Sequence, residues 1–130
     1  VYVADTLGEM GALFKLAPVA LIAGSLLPHL KGHNPIEPAK LDAAILTGPY
    51  VESFDDVFTA LFANGGARRV NTADEIADAV KALWADPARR AAQLAAARAY
   101  VSQGDTAFND TVTALLALAP EPQDATHAPA

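Results

Sequence analysis

The chain has 130 residues, 52% of them hydrophobic and 18% charged, with 8 Gly, 9 Pro and no Cys. That is the make-up of one ordinary globular domain, and it excludes a disulfide scaffold, a coiled coil, a collagen-like repeat and wholesale disorder. A chain of this length buries roughly 65 to 70% of its unfolded surface, so nothing forces a metal or cofactor for stability. The net charge is −6, and the longest basic clusters are the pairs Arg68-Arg69 and Arg89-Arg90. A phosphate-backbone footprint is missing, which argues against nucleic acid as a partner.

Val1 is not Met, and Val1 to Ala4 reads as a strand, so the expectation is the C-terminal piece of a longer protein. The apolar run from Leu16 to Leu27 contains Pro18 and Gly24 and is well short of the ~20 residues a membrane span needs. It reads as a buried strand, Val19 to Ala23. Ala44 to Leu46 is a further continuous apolar stretch, the pattern of parallel strands covered on both faces. Each stretch is followed by a helix start signal. Thr6-Leu7-Gly8-Glu9 is a capping box, and Asn34-Pro35-Ile36-Glu37 places Asn at the cap, Pro first in the helix and Glu in its first turn. Alternating strands and helix starts predict right-handed crossover units, an α/β domain with a Rossmann-like parallel sheet and flanking helices.

Beyond Gly48 the chain turns Ala-rich with helical periodicity. Ser53 is placed as the cap of a helix with Asp55 and Asp56 in its first turn and Val57, Phe58, Leu61 and Phe62 inward. Asn64-Gly65-Gly66 ends it, and an edge strand follows at Ala67 to Val70. Thr72-Ala73-Asp74-Glu75 opens a helix with Ile76, Val80, Leu83 and Trp84 on one face. Asp86-Pro87 starts the next, which the sequence predicts to stop at Gly104. Asp105 then caps a last helix with Phe108, Val112, Leu115 and Leu116 at helical spacing, ended by Pro120. Arg89, Arg90 and Arg98 read as a solvated helix face. The domain is placed at residues 1–119, and the Pro-rich tail 120–130 is expected to be disordered.

The chemistry-bearing segment runs from Ala23-Gly24-Ser25 through Gly32-His33-Asn34-Pro35-Ile36-Glu37-Pro38. Here a strand ends in small residues and a helix begins at the carboxyl edge of the sheet, where open α/β sheets bind ligands. Free N–H groups at such a start favour an anion, and a first-turn carboxylate can accept both hydroxyls of a ribose. The alternative is purely structural, with Glu37 completing a capping box. Asp5-Thr6-Leu7-Gly8-Glu9-Met10 makes a similar turn and could form the opposite wall of one pocket. Neither a dinucleotide fingerprint nor a phosphate loop is present. His29 and His33 are four apart across Leu30-Lys31-Gly32, a poor helix, and lack the third ligand a catalytic zinc wants. No Gly-x-Ser-x-Gly elbow exists.

At Asp5-Thr6-x-Gly8-Glu9-Met10, Ala23-Gly24-Ser25, Gly32-His33-Asn34-Pro35-x-Glu37-Pro38 and Gly48-Pro49, in that order and spacing, the chain resembles the C-terminal part of 3-deoxy-D-manno-octulosonic acid (Kdo) transferases. The resemblance spans roughly residues 1 to 118. It implies part of the C-terminal domain of a GT-B type glycosyltransferase, one that moves Kdo from CMP-Kdo to a lipid A precursor with inversion and without a metal. By matching positions, Gly8, Glu9 and Met10 would line the CMP pocket from one turn and Asn34, Pro35, Ile36 and Glu37 from the other. CMP-Kdo is then a donor substrate rather than a cofactor. The resemblance also implies that the carboxylate activating the acceptor, and the attachment to the cytoplasmic face of the bacterial inner membrane, belong to an N-terminal domain outside this chain. The chain alone is expected to be soluble and inactive. It departs from the family at Lys31-Gly32, where Gly-Gly is frequent, and at Tyr50 and Ser53-Phe54, where His and Asn-Phe are usual. Loss of preceding strands would leave an exposed sheet edge at the Val1 end, inviting an artefactual dimer. Two other readings stay open: a UDP-sugar transferase or epimerase domain, and a non-enzymatic interaction module.

Overall fold

The structure, a computed structural model, describes residues 2–5 and 7–118. Its centre is a three-stranded sheet in the order β1 (Val19–Ile22), β2 (Ala44–Thr47), β3 (Ala67–Arg69). Both pairings are parallel, with Val19 opposite Ala44 and Ile45 opposite Ala67. All four residues of β2 are buried, as expected for a central strand covered on both faces. The α/β class with flanking helices read from the sequence is the observed one.

The helices follow the strands in alternation. α1 is Met10–Leu16, α2 Ile36–Lys40, α3 Asp55–Asn64, α4 Ala73–Ala85 and α5 Pro87–Leu118. On one face Ile22 and Ile45 meet Phe58 and Leu61 of α3 and Ala39 of α2. On the other, Ala44 and Leu46 meet Ala79 and Leu83 of α4. α5 serves both layers, with Ala97 and Val101 against the first and Leu94 against the second. It is pinned to the sheet by Gln93, whose Nε2 donates to the Ile45 carbonyl at 2.8 Å. It also crosses β3 closely: a Cβ on Gly66 would lie 2.9 Å from the Ala97 Cα, so only glycine fits there.

Several local expectations fail for identifiable reasons. Residues 2–5 form no strand. They have no neighbouring strand to satisfy their backbone groups, and Tyr2 and Val3 stay exposed. The open edge on that side of the sheet is therefore β1 rather than the Val1 end. Thr6 lies outside the described residues, and the first helix starts at Met10, after a left-handed turn at Gly8 (φ 92°), with no side-chain cap. Ser53 does not cap α3; it sits in a 3₁₀ turn, Glu52–Phe54, that leads into the helix. The C-terminal stop is as expected, with Gly65 left-handed at φ 79°. Thr72 caps α4, its Oγ1 accepting from the Glu75 N–H at 3.2 Å, while the Glu75 carboxylate accepts from the Asn71 N–H at 2.7 Å. Trp84 is exposed because α4 presents the Ala79–Leu83 row to the sheet and turns the next position outward.

The largest correction concerns α5, a single helix of 32 residues through Gly104 and position 105. Gly104 does not adopt a left-handed conformation, and Ala-rich sequence on its N-terminal side sustains the helix across the weak position. Past Val101 the helix outruns the sheet. Phe108, Leu115 and Leu116 consequently have no layer to enter and are exposed. Of the expected solvated arginines, Arg90 Nη1 donates to the Leu83 carbonyl at 2.9 Å and Arg98 pairs with Asp42. The tail 120–130 lies outside the described residues.

Continuity of α5 gives a direct test. Gly104→Ala meets open space and removes a flexible residue from a helix interior, so it should raise stability by about 0.5–1 kcal/mol in urea unfolding. A C-terminal cap at Gly104 would make the same substitution destabilising.

Candidate functional site

At the carboxyl end of β1 the chain enters a 3₁₀ turn, Ala23–Leu26, and at the end of β2 it enters Gly48-Pro49-Tyr50. The two exits are tied together by Ser25, which is fully buried. Its hydroxyl donates to the Ile22 carbonyl and accepts from the Gly48 N–H, while its own carbonyl accepts from the Tyr50 N–H at 3.0 Å. A Cβ on Gly48 would collide with the Ser25 carbonyl oxygen. Further along, the Ser53 N–H donates to the Lys31 carbonyl at 3.0 Å. Lys31 and Gly32 are both left-handed (φ 54° and 85°), and a Cβ on Gly32 would come within 3.0 Å of the Tyr50 carbonyl oxygen. The His33 ring lies over Gly24, where any side chain would overlap it.

This double seam delivers residues 34–37 to the rim of the sheet. The Asn34 Oδ1 accepts from the Ile36 N–H at 2.9 Å, an Asx-type turn just ahead of the helix. α2 begins at Ile36 with Pro35 at the cap position and no side-chain cap, one residue later than the sequence places it, since Pro35 and Pro38 both lack the N–H that would extend the first turn. Pro35 is fully buried and Ile36 packs partly against the Phe58 layer, so both serve as supports. Asn34 and Glu37 are exposed. They border an open cavity of about 390 Å³ together with Ile36, Lys40 and Leu41. The first turn of α2 is poor in free donors: Pro35 and Pro38 have no N–H and that of Ile36 is used, which leaves the Glu37 N–H without a partner among the described residues. With five residues α2 is about 7.5 Å long, too short for a strong dipole.

Gly8, Glu9 and Met10 are exposed at the start of α1. α1 touches the far end of α2, where a Cβ on Gly11 would lie 3.6 Å from the Leu41 side chain. The turn at Gly8–Met10 thus leads into a helix that meets the carboxyl end of α2, and none of its three residues borders the cavity beside Asn34 and Glu37. Among the described residues no three His, Cys, Asp or Glu side chains converge as a metal site. The Ser25 seam is the feature sequence reasoning missed. Its signal in the sequence is the pair of strand-end blocks, Gly24-Ser25 and Gly48-Pro49, whose spacing alone does not show that they bond to one another.

Comparison with known proteins bears on the family of the chain. A Kdo transferase from Bordetella pertussis is 36% identical over 115 residues, covering 88% of this chain and 27% of the relative. The solved C-terminal CMP-Kdo binding domain of WaaA from Acinetobacter baumannii superposes with a TM-score of 0.75 at 27% identity, over 78% of this chain and 52% of that one. The chain belongs to the Kdo transferase family. A probable mitochondrial Kdo transferase from Arabidopsis thaliana is likewise 40% identical over 89 residues, 67% of this chain and 20% of the relative. The chain spans about a quarter of the length of the curated Kdo transferases it matches. No family model matches it. No helix among the described residues is long and apolar enough to cross a membrane.

Two substitutions test the seam by urea unfolding. Ser25→Ala strands the buried Gly48 N–H and should cost about 1–3 kcal/mol. Thr47→Val should stabilise by about 1 kcal/mol, because the Thr47 hydroxyl is buried without a partner among the described residues.

Proposed function

We propose that this chain is the donor-nucleotide-binding part of an enzyme that transfers Kdo from CMP-Kdo to a lipid A precursor. The observation that supports it most is that the exposed pair Asn34 and Glu37 stands on the sheet rim of a domain superposing on the CMP-Kdo binding domain from A. baumannii. In this reading the Glu37 carboxylate accepts the two ribose hydroxyls, which are paired donors suited to a two-oxygen acceptor. The Glu37 N–H and the Asn34 Nδ2 donate to the phosphate. Charge grows on that phosphate as the bond from Kdo to its oxygen breaks, and donors already fixed in place stabilise it as a leaving group. Gly8, Glu9 and Met10 approach the base or ribose from α1, with Pro35 and Ile36 holding the turn beneath.

CMP-Kdo enters as donor substrate, and the lipid acceptor and the carboxylate that takes its proton belong to the remainder of the enzyme. The reading places that enzyme at the cytoplasmic face of a bacterial inner membrane, with its membrane contact outside this chain. By itself the chain binds donor and does not turn it over.

Calorimetric or NMR titration with CMP, UDP and AMP checks the assignment. CMP should bind best, and Glu37→Ala should weaken it roughly tenfold or more, in line with loss of charge-assisted hydrogen bonds. A preference for UDP would instead support a UDP-sugar transferase or epimerase domain. Equal binding by Glu37→Ala would remove the ribose role.

A further inference from the structure

The arginines of the chain are Arg68, Arg69, Arg89, Arg90 and Arg98. Three have side-chain partners. Arg69 stands over the Phe62 ring at 4.6 Å, Arg90 donates to the Leu83 carbonyl at 2.9 Å, and Arg98 pairs with Asp42. The guanidinium groups of Arg68 and Arg89 have no partner among the described residues. These two line the same cavity, about 380 Å³ in volume, with Asn64, Leu83 and Gln93.

The cavity lies at the amino ends of the strands, on the opposite rim from Asn34 and Glu37. Its floor is the entry into β3 and the start of α5, where Gln93 is bonded to Ile45. Arg68 is half-buried and in register with Leu46, so it shares the sheet face covered by α4. The neutral polar side chains are already engaged. Asn64 donates to the Ala96 carbonyl at 3.0 Å and accepts from the Gly66 N–H at 2.8 Å, and the Gln93 Nε2 is spent on Ile45. The nearest carboxylate in sequence, Asp86, accepts from the backbone N–H of Arg89 at 2.9 Å, capping the start of α5. Two cations sharing one cavity repel each other, yet in a chain with a net charge of −6 no carboxylate among the described residues pairs with either guanidinium.

We propose that this cavity is an anion site, distinct from the donor turn, that takes a phosphate-class oxyanion between Arg68 and Arg89. Each guanidinium offers parallel N–H donors that match two oxygens of a phosphate, and the pair supplies the charge a dianion needs. The phosphate can be free in solution or carried on a lipid headgroup, since both present the same oxygens.

The 130-residue chain is titrated at low ionic strength with inorganic phosphate and with pyrophosphate, following the amide resonances of Asn64, Gly65 and Gln93. Saturable shifts there are expected, with affinity falling at least about tenfold in Arg68→Ala and in Arg89→Ala and unchanged in Arg98→Ala. Arg68→Gln, similar in size and uncharged, is run beside Arg68→Ala, so that loss of charge is separated from loss of fold. Co-sedimentation with phosphatidylglycerol vesicles but not phosphatidylcholine, lost in the two variants, would place the phosphate on a lipid. Saturable phosphate binding without co-sedimentation would place it in solution. The site is overturned if those amides do not move, or if the Arg68→Ala/Arg89→Ala double variant shifts as the wild type does.

Discussion

The hydroxyl of Ser25 sits where the ends of β1 and β2 must both turn away from the sheet, and it holds them to one another. Parallel strands deliver their exits to the same rim but leave the loops there without a ladder to bond to. A buried serine answers that shortage with one donor and one acceptor, serving the Ile22 carbonyl and the Gly48 N–H at once. The requirement propagates to glycine at three positions. Gly48 must be bare for the Ser25 carbonyl, Gly32 for Tyr50, and Gly24 for the His33 ring. Asn34 and Glu37 inherit their position from this seam, because the helix that follows Asn34 and carries Glu37 is too short to anchor itself.

The opposite rim is held by a different device. β3 is only three residues long, and a strand that short cannot fix its own register. α5 supplies the constraint through Gln93 on the Ile45 carbonyl and through the close crossing of Gly66 over Ala97. That makes the first half of α5 part of the core and leaves its second half beyond the sheet, which is why one helix is buried at Val101 and exposed at Phe108.

What the sequence showed follows from how local each determinant is. Thr72 with Glu75, and Gly65, act within a few residues, and those two caps were legible from spacing alone, whereas α2 starts one residue later than spacing puts it. The apolar run Ala44–Leu46 announced a strand buried on both faces, and the alternation of strands and helix starts gave the parallel sheet. The failures are non-local. Whether Val1–Ala4 becomes a strand depends on a neighbour to pair with, and whether Gly104 breaks a helix depends on the continuity around it. Trp84 and Leu115 look inward by periodicity, but periodicity says only that a face exists, and the layer that would cover it is a property of the whole fold. The Ser25 seam joins residues 23 positions apart and so left no periodic trace. In the candidate site, residue types and order, and the donors missing at Pro35 and Pro38, were readable, whereas the use of the Ile36 N–H by the Asn34 side chain emerged only with geometry.

That loss changes what the donor turn can do. A helix start with several open N–H groups would grip any phosphate, whatever nucleoside it carried. With one open N–H and a dipole of about a turn and a half, this turn would by itself hold a phosphate only weakly, so on the proposed reading discrimination comes from the groups that face the sugar and base. On the proposed reading, Glu37 then matters more than the helix that carries it, and selectivity among bases would be read by other groups, for which the exposed turn at Gly8–Met10 is the proposed source. The rigidity supplied by Ser25 gains its importance from the same logic. A site with few donors cannot tolerate misplacing one, since a displacement of about 1 Å across a hydrogen bond forfeits most of its strength.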